Sequence, residues 1–369
     1  MQLVRTALPR SKGAPIRPMR IVLFLPNWVG DLTMATPTLR ALRGHFGLKA
    51  RIVGVIRPYL RGVLEGTPWL DELWPSEKKA PDPAMRFWGL VSRLRQGRFD
   101  LGILLTNSLR TALMAAWGGV RRRVGYDRDG RGWLLTDPIP PPRQGRRLRP
   151  MPMVEYYLGL AAVVGCAQES LRLELATTAQ DEQSADEVWR RFGWPTTERP
   201  VVLNCSGAFG GSKLWPVEYF AQLAQRVVDE LGQPVLVFCG PAEQERARQI
   251  VQLAGRQTVV SMADQPMDFG TAKAVLRRAR LMVSTDSGPR HMAAAFDVPV
   301  ITLYGPLLPI WSRNPTQTAV DLMVEHLDCL GCGRPKCPLG HHACMKQLSV
   351  DRVYEAVVEM LMSLQRQAA

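Results

Sequence analysis

The sequence lacks several features that mark other classes of protein. No apolar run approaches the roughly 18 residues of a membrane-spanning helix, and residues 1–20 contain five basic residues but no apolar stretch typical of a secretory signal. No strand-like segment leads into Gly-x-Gly-x-x-Gly, which disfavours a dinucleotide-dependent oxidoreductase. No Asp-x-Asp pair ends a strand that we predict. The sequence therefore gives no indication of a metal ion beside a nucleotide diphosphate, and we expect no required cofactor.

Cysteine is also scarce, with seven residues in a chain of 369. The number is odd, and four of the seven lie between Cys329 and Cys344. This distribution disfavours the evenly paired disulfides of a small secreted protein. We therefore predict a cytoplasmic protein.

Acidic residues are few in the first part of the chain. Residues 1–150 contain 27 Lys and Arg against 10 Asp and Glu, whereas residues 151–369 contain 20 against 23. The asymmetry indicates an anionic partner, either a phosphorylated lipid surface or a nucleic acid, although a basic face can also serve solubility alone. Only Tyr126 and Trp133 interleave the basic stretch, which disfavours a nucleic-acid-binding module. The arginines that we single out as contacts for an anionic acceptor are Arg57, Arg121, Arg122 and Arg123.

Two series of alternating strand and helix patterns run along the chain. Because its length also exceeds that of a usual single core, we predict an α/β protein with two Rossmann-like, doubly wound domains that face a central cleft. We predict strands at 21–25, 51–56, 99–105, 200–204, 234–239, 258–260, 281–284 and 298–304, helices at 31–45, 108–117, 179–192, 216–231, 242–254 and 269–279, and a Pro- and Arg-rich loop at 137–153. The predicted parts are a basic disordered arm 1–19, a first domain 20–172, a second domain 173–348 and a last helix 349–369.

The first candidate for chemistry is Asp31, which follows Trp28-Val29-Gly30. Gly30 permits a tight turn from strand to helix, so Asp31 is expected at the start of the helix. There its carboxylate could serve as an N-cap, worth about 1 kcal/mol, or accept a proton from a substrate hydroxyl at the rim of a cleft. Spacing alone favours the cap. The partial positive charge at a helix start is expected to lower the pKa of this carboxyl group.

A second candidate is the glycine-rich segment after the predicted strand 200–204. It begins with Ser206 and Gly207 and contains Lys213. Its glycines let the backbone approach a ligand, and the lysine supplies a point charge suited to phosphate. The spacing is not that of a Walker A motif. A mobile surface loop is the alternative, but a lysine among glycines at a strand end favours phosphate binding.

A third candidate lies where the predicted strand 281–284 ends. Asp286, Ser287 and Gly288 open a helix of small residues that also carries His291. Helix starts present unpaired N–H groups that favour phosphate, and the carboxyl ends of parallel strands are where α/β proteins bind ligands. Asp286 as a cap and His291 as a buried helix residue are the structural alternatives. Together with the glycine-rich segment, this stretch predicts half of a nucleotide-sugar site.

The fourth candidate is a cysteine-rich run near the end of the chain. Four thiols and two imidazoles lie within 16 residues and include one Cys-x2-Cys pair, which suits a tetrahedral zinc ion. The other spacings are irregular for a zinc ribbon. Free cysteines that pack a compact loop, or a local disulfide, are the alternatives, and we assign no metal here. The residues concerned are Cys329, Cys332, Cys337, His341, His342 and Cys344.

Taken together, these segments resemble glycosyltransferase family 9, the ADP-heptose:lipopolysaccharide heptosyltransferases. Their order and spacing over residues 20–365 make the resemblance specific, whereas each segment alone is moderate evidence. The matching segments are Trp28-Val29-Gly30-Asp31, Phe209-Gly210-x2-Lys213-x-Trp215-Pro216, Ser284-x-Asp286-Ser287-Gly288-x2-His291, Leu303-Tyr304-Gly305-Pro306 and the run from Cys332 to Cys344.

The resemblance implies a GT-B fold whose second domain binds ADP-heptose and whose first domain binds an anionic lipopolysaccharide acceptor. It implies an inverting transfer with Asp31 as the general base. Lys213 and the N–H groups around Ser287 and Gly288 would hold the diphosphate, while Asp286 and His291 would orient the diphosphate or the sugar. The last helix would cross back onto the first domain. The protein would lie at the cytoplasmic face of the inner membrane of a Gram-negative bacterium.

Three alternatives stay open. A family-9 transferase with another sugar or acceptor would share these segments, and the unusually basic stretches 1–19 and 137–152 leave the acceptor undecided. A nucleic-acid-binding protein would match the pI near 9.9. A nucleotide-sugar epimerase of GT-B fold would act on the donor without an acceptor.

Overall fold

The structure is a computed structural model that describes residues 17–145, 147–207 and 209–368. It contains two six-stranded sheets, each with its strands in the spatial order third, second, first, fourth, fifth, sixth. All neighbouring strands within these two sheets are parallel. This is the doubly wound arrangement. The predicted arm 1–19 lies almost wholly outside the described residues.

The first sheet is built on apolar strands that are buried on both faces. Its central strand pairs through Ile21 with Ile52 on one side and with Leu101 on the other. Its strands are β1 (Arg20–Phe24), β2 (Arg51–Ile56), β3 (Glu72–Pro75), β4 (Leu101–Leu104), β5 (Arg122–Tyr126) and β6 (Asp137–Ile139), and β7 (Arg143–Gln144) and β8 (Arg147–Leu148) form a separate hairpin. The helices are α1 (Val29–Met34), α2 (Thr36–Phe46), α3 (Arg61–Leu64), α4 (Phe87–Gly97), α5 (Leu109–Trp117) and α6 (Met153–Val163). α2 packs with α6, and α4 packs with α5 over a second apolar cluster.

The second sheet repeats this plan. Val201 of its central strand pairs with Val235 and Leu281 of the two neighbours. Its strands are β9 (Val201–Asn204), β10 (Val235–Phe238), β11 (Val259–Ser261), β12 (Leu281–Thr285), β13 (Val300–Tyr304) and β14 (Ala319–Met323). The helices are α7 (Ala179–Arg191), α8 (Val217–Leu231), α9 (Gln244–Ala254), α10 (Phe269–Arg277), α11 (Gly288–Ala294), α12 (Ala343–Lys346) and α13 (Val350–Ala368). α8 packs with α9, and α7 packs with α10.

The Pro- and Arg-rich stretch 137–153 is more ordered than the predicted loop. β6 adds to the edge of the first sheet, where Asp137 pairs with Val124 of β5. An edge position tolerates Pro138, which has no N–H group to donate to a neighbouring strand. Arg122 of β5 holds the Asp137 carboxylate through two hydrogen bonds of 3.0 and 2.8 Å. These contacts come from the neighbouring strand, so the local sequence does not reveal them.

The last helix packs on the second domain, where we predicted a return to the first. α13 lies against α8 and β12. Val353, Val357 and Leu361, spaced one turn apart, are buried on this face, so the apolar stripe of the helix covers its own domain. Neither α13 nor any other helix within the described ranges has the length and apolarity to cross a bilayer.

The two domains meet along short helices. α1 packs against α11, and α3 packs against α10. Lys273 of α10 is fully buried and donates a 2.7 Å hydrogen bond to the carbonyl oxygen of Glu65 in the first domain. Arg40 of α2 binds Glu174 in the connection between the domains at 2.9 Å. The segments that follow β1 and β12 are thereby brought to one cleft.

Candidate active site

The cleft holds a cavity of about 280 Å³ between the two domains. The first domain contributes the segment after β1 and the start of α6, and the second contributes the segments after β9, β12 and β13. The cavity thus combines three of the four segments that the sequence singled out. The lining residues are Trp28, Gly30, Asp31, Met34, Met153, Phe209, Lys213, Asp286, Ser287, Gly288, His291, Leu307, Trp311 and Ser312.

Asp31 lies in the first turn of α1 and does not cap it. The cap residue is Trp28, which makes no side-chain cap hydrogen bond. The Asp31 carboxylate instead accepts a 2.9 Å hydrogen bond from the buried hydroxyl of Tyr157 on α6. Burial raises the pKa of Asp31, and the Tyr157 hydrogen bond only partly offsets this. The predicted lowering by the helix start was wrong, because desolvation outweighs it.

Asp286 is the centre of a buried ionic cluster. Lys213 Nζ lies 2.8 Å from its Oδ2 and 2.7 Å from its carbonyl oxygen. Arg290, one turn later, donates to Oδ1 at 3.2 and 3.1 Å, and Ser312 donates to the same atom at 2.9 Å. Burial alone would raise the pKa of Asp286, but Arg290 and Lys213 hold it below the ordinary value. Asp286 is therefore an ionised anchor for two cations, and the cap position of α11 belongs to Ser287.

His291 is buried in α11 and faces the first domain. Its Nδ1 lies 3.1 Å from the side-chain oxygen of Asn314. Burial, with the nearby charge of Arg290, holds the pKa of His291 well below the usual value, so the ring is neutral. A Cβ on Gly30 would lie 2.9 Å from His291 Cδ2, and one on Gly288 would lie 2.9 Å from Val29 Cβ. Two glycines thus allow α1 and α11 to meet at the cavity.

Ser206 and Gly207 lie behind the cavity rather than in its wall. The Ser206 carbonyl oxygen accepts a 2.5 Å hydrogen bond from Thr285. Its buried hydroxyl has no hydrogen-bond partner within the described part of the chain. Nearby, Asn204 donates to the hydroxyl groups of Ser284 and Ser287 at 2.8 and 2.7 Å. This network fixes the end of β9 against the start of α11.

Of the four predicted acceptor arginines, the structure brings only Arg57 near the cleft. Its Nε donates to Asn27, which precedes the cavity residue Trp28, at 3.3 Å. The other three lie at the amino end of β5, the sheet edge opposite the cavity. They are held there by contacts of Arg121 with Asp100, of Arg122 with Asp137 and of Arg123 with the carbonyl oxygen of Leu134. A count of charge along the chain cannot distinguish the two edges of a sheet.

One Asp-x-Asp pair does follow a strand, contrary to our expectation. Asp127 and Asp129 come directly after β5, a strand that the sequence analysis missed. They are not among the cavity-lining residues. No group of three or more His, Cys, Asp or Glu side chains in the described ranges is arranged to hold a metal ion.

The cysteine-rich run supports two of the three second-domain segments that line the cavity, those after β9 and β13. All seven cysteines are free thiols, so the local disulfide is not formed. The carbonyl oxygen of Pro335 accepts a 3.1 Å hydrogen bond from Ser212, beside Lys213, and His342 contacts the Ser212 carbonyl oxygen at 2.8 Å. Gly333 donates to the Pro306 carbonyl oxygen at 2.9 Å. The run thus packs as a compact loop behind the ionic cluster.

Comparison with known proteins identifies the family. The family model described as glycosyltransferase family 9 (heptosyltransferase) matches residues 87–343, more than half of the chain. The chain belongs to glycosyltransferase family 9. It is therefore a transferase.

Relatives of this family-9 chain cover most of it. Lipopolysaccharide heptosyltransferase 2 of Escherichia coli is 29% identical over 79% of this chain and 84% of its own length. Lipooligosaccharide heptosyltransferase 2 of Haemophilus ducreyi is 27% identical over 93% and 99%. The solved structure of E. coli ADP-heptose lps heptosyltransferase II superposes with a TM-score of 0.75 at 23% identity, covering 94% of this chain and all of that one. This likeness confirms the predicted GT-B fold.

The sequence analysis missed the partners that set the chemistry of the site. Tyr157 lies 126 residues from Asp31, and no local pattern connects them. Arg290 had a signal, because it follows Asp286 by four residues, a spacing that allows an ion pair at the start of a helix. Ser312 and Asn314 lie in the loop after β13, beyond the Leu303-Tyr304-Gly305-Pro306 segment, where no motif marked them.

Proposed function

We propose that this chain is a heptosyltransferase II-like enzyme. It transfers L-glycero-D-manno-heptose from ADP-heptose to the inner core of lipopolysaccharide, with inversion at the anomeric carbon. Membership of family 9 and relatives named lipopolysaccharide heptosyltransferase 2 support this proposal. The observation that carries it is the cavity itself, in which the Asp31 carboxylate of one domain faces the Lys213–Asp286 ion pair of the other.

The second domain binds the donor diphosphate. Lys213 is almost buried, and its side chain is fixed by Asp286 close to the N–H groups of Ser287 and Gly288 at the start of α11. A fixed cation and backbone donors stabilise the negative charge that develops on a departing diphosphate. Ser206 supports this site from behind the cavity, where its carbonyl oxygen accepts a hydrogen bond from Thr285, the neighbour of Asp286. His291, neutral at physiological pH, hydrogen-bonds a donor group without adding charge.

The first domain supplies the base. An acceptor hydroxyl attacks the anomeric carbon, its new C–O bond forms as the bond to the diphosphate breaks, and ADP leaves with the electron pair. The hydroxyl proton passes to Asp31. The raised pKa of this carboxyl group makes it a stronger base than an exposed aspartate, while Tyr157 holds it ionised and oriented. Arg57 beside the cleft contacts the anionic acceptor.

The acceptor determines where in the cell the enzyme works. Lipopolysaccharide core is assembled on a lipid anchor, so we propose a cytoplasmic protein that is peripheral to the inner membrane of a Gram-negative bacterium. The basic first domain suits a phosphorylated acceptor at this surface. We propose that charge on the leaving diphosphate is balanced by Lys213 and the backbone donors, with no resident cofactor.

Purified protein with ADP-heptose and heptose-deficient lipopolysaccharide tests the proposal. We expect ADP release matched by the mass of one heptose on the lipid. ADP release without a change in the lipid would contradict transfer to this acceptor. Isomerisation of the donor without an acceptor would favour an epimerase. A panel of other nucleotide sugars distinguishes this enzyme from a family-9 transferase that uses a different donor.

A further inference from the structure

The face of the first domain formed by α4 and α5 carries exposed aromatic residues that the proposed chemistry does not use. Trp88 of α4 and Trp117 of α5 are 67% and 44% exposed. Their rings stack on each other with centroids 5.4 Å apart and an interplanar angle of 2°. Trp133, 75% exposed, lies in a turn that contacts α5. We call Trp88, Trp117 and Trp133 with Arg110 the tryptophan patch.

The packing of the patch keeps its rings at the surface. Phe87 meets both stacked rings edge-on, at 5.1 and 5.7 Å between centroids. The Arg110 guanidinium lies over the Phe87 ring, 5.0 Å from its centroid. The aromatic group is thus a preorganised, rigid projection and not a set of loose side chains. Soluble proteins rarely expose grouped large apolar side chains unless a partner covers them.

The surroundings of the patch are predominantly basic. Residues 83–126, which include all of α4 and α5, contain eight arginines and one acidic residue, Asp100, and this stretch is flanked by Asp82, Asp127 and Asp129. The Asp100 carboxylate already binds Arg17 and Arg121. Tryptophan and arginine together are the side chains that settle at the headgroup level of a bilayer, where the ring is partly buried and the cation meets lipid phosphate. The charge therefore selects an anionic partner.

We propose that the tryptophan patch docks the enzyme on the anionic surface of a lipid bilayer. The stacking favours a bilayer over a saccharide. Each indole covers a face of the other that a sugar ring would otherwise contact, whereas the edges of both indoles remain available for insertion into a bilayer. The patch also leads towards the cleft. Burial and then the positive charge of Arg57 lower the pKa of Arg110, and Arg57 donates a hydrogen bond to Asn27 beside the cavity.

This inference deepens the proposed function and rests on it for the biological purpose of docking. A lipid-anchored acceptor would be presented from the same surface that holds the enzyme. Vesicle binding itself requires neither donor nor acceptor, so the docking surface and the transferase activity can fail separately.

Flotation with phosphatidylglycerol-containing vesicles tests the proposal, with pure phosphatidylcholine vesicles for comparison. We expect the protein to bind the anionic vesicles and Trp88→Ala/Trp117→Ala to lose at least tenfold in partition. The matched control Leu48→Ala/Leu253→Ala removes two exposed leucines elsewhere, 90% and 51% exposed, and should bind as the parent does. Trp133→Ala is a second variant, and it removes a tryptophan that is more exposed than the other two.

Each variant is also assayed for melting temperature and for transfer to a delipidated core oligosaccharide. A loss of vesicle binding with an unchanged melting temperature and an unchanged transfer rate would support a docking surface. Equal vesicle binding by parent and tryptophan variants would overturn the proposal. So would a dimer that the substitutions dissociate, since the patch would then bind a second copy. Patch-dependent vesicle binding without any heptose transfer would refute the proposed function and leave the docking surface standing.

Discussion

Replacing Tyr157 with phenylalanine isolates the hydrogen bond that controls the proposed base. Tyr157→Phe keeps the buried ring and removes only the hydroxyl that donates to Asp31 at 2.9 Å. A hydrogen bond to a charged group is worth about 1.5–3 kcal/mol. One pKa unit corresponds to about 1.4 kcal/mol, so the pKa of Asp31 should rise by roughly one to two units.

The sign of the effect follows from the role of the carboxylate. Asp31 accepts a proton only when ionised, so activity falls as the pH drops through its pKa. The hydrogen bond from Tyr157 favours the ionised form, and its loss therefore moves the acid limb of the pH profile to higher pH. Below both midpoints, kcat/KM should fall by about ten- to a hundred-fold, while the plateau at high pH changes little.

The assay is the pH dependence of kcat/KM, which reports the free enzyme. Tyr156→Phe is the matched control, because its hydroxyl contacts Asn107 at 3.2 Å instead of Asp31. An acid limb that stays in place in Tyr157→Phe would refute the assignment of this hydrogen bond. A uniform loss at every pH would indicate a change in packing only.

Three further substitutions test other parts of the site. Lys213→Ala should weaken ADP binding and turnover together and destabilise the fold by about 1–3 kcal/mol, because the buried carboxylate beside it loses a partner; unchanged ADP affinity in calorimetry would contradict this. Gly30→Ala places a methyl 2.9 Å from an imidazole carbon and should cost about 1–3 kcal/mol in thermal unfolding. Gly44→Ala, an open helix position, is its control and should be neutral or stabilising. Arg57→Ala should raise the KM for the acceptor, whereas Arg121→Ala, on the opposite sheet edge, should not; a similar rise in both variants would restore the sequence-based assignment of these arginines to the acceptor.

The fold was predictable wherever local pattern and tertiary role agree. The strand predicted at 51–56 is β2 itself, and the helix predicted at 216–231 is α8 with one residue fewer. β5 was missed because it begins with two arginines and is completed by pairing, and β6 because it contains Pro138. Such edge elements are held by neighbours and ion pairs, which no short window of sequence contains.

The candidate site, like the fold, could be predicted from the sequence only in part. Strand ends can be predicted from sequence, and parallel strands bring their carboxyl ends to one edge, so Asp31, Lys213 and Asp286 were found. Their electrostatic state depends on Tyr157 and Arg290, which contact them only in the folded protein. The direction of the Asp31 pKa shift was mispredicted for that reason, since helix position is local and burial is not.

The most direct test of the central claim compares Asp31→Asn with the parent enzyme in two measurements. These are heptose transfer from ADP-heptose to heptose-deficient lipopolysaccharide and ADP-heptose affinity by calorimetry. The account predicts nearly abolished transfer with donor affinity largely unchanged, because the carboxylate acts on the acceptor and lies across the cavity from the diphosphate site. Transfer at the parent rate, or a loss of donor affinity as large as that in Lys213→Ala, would contradict it.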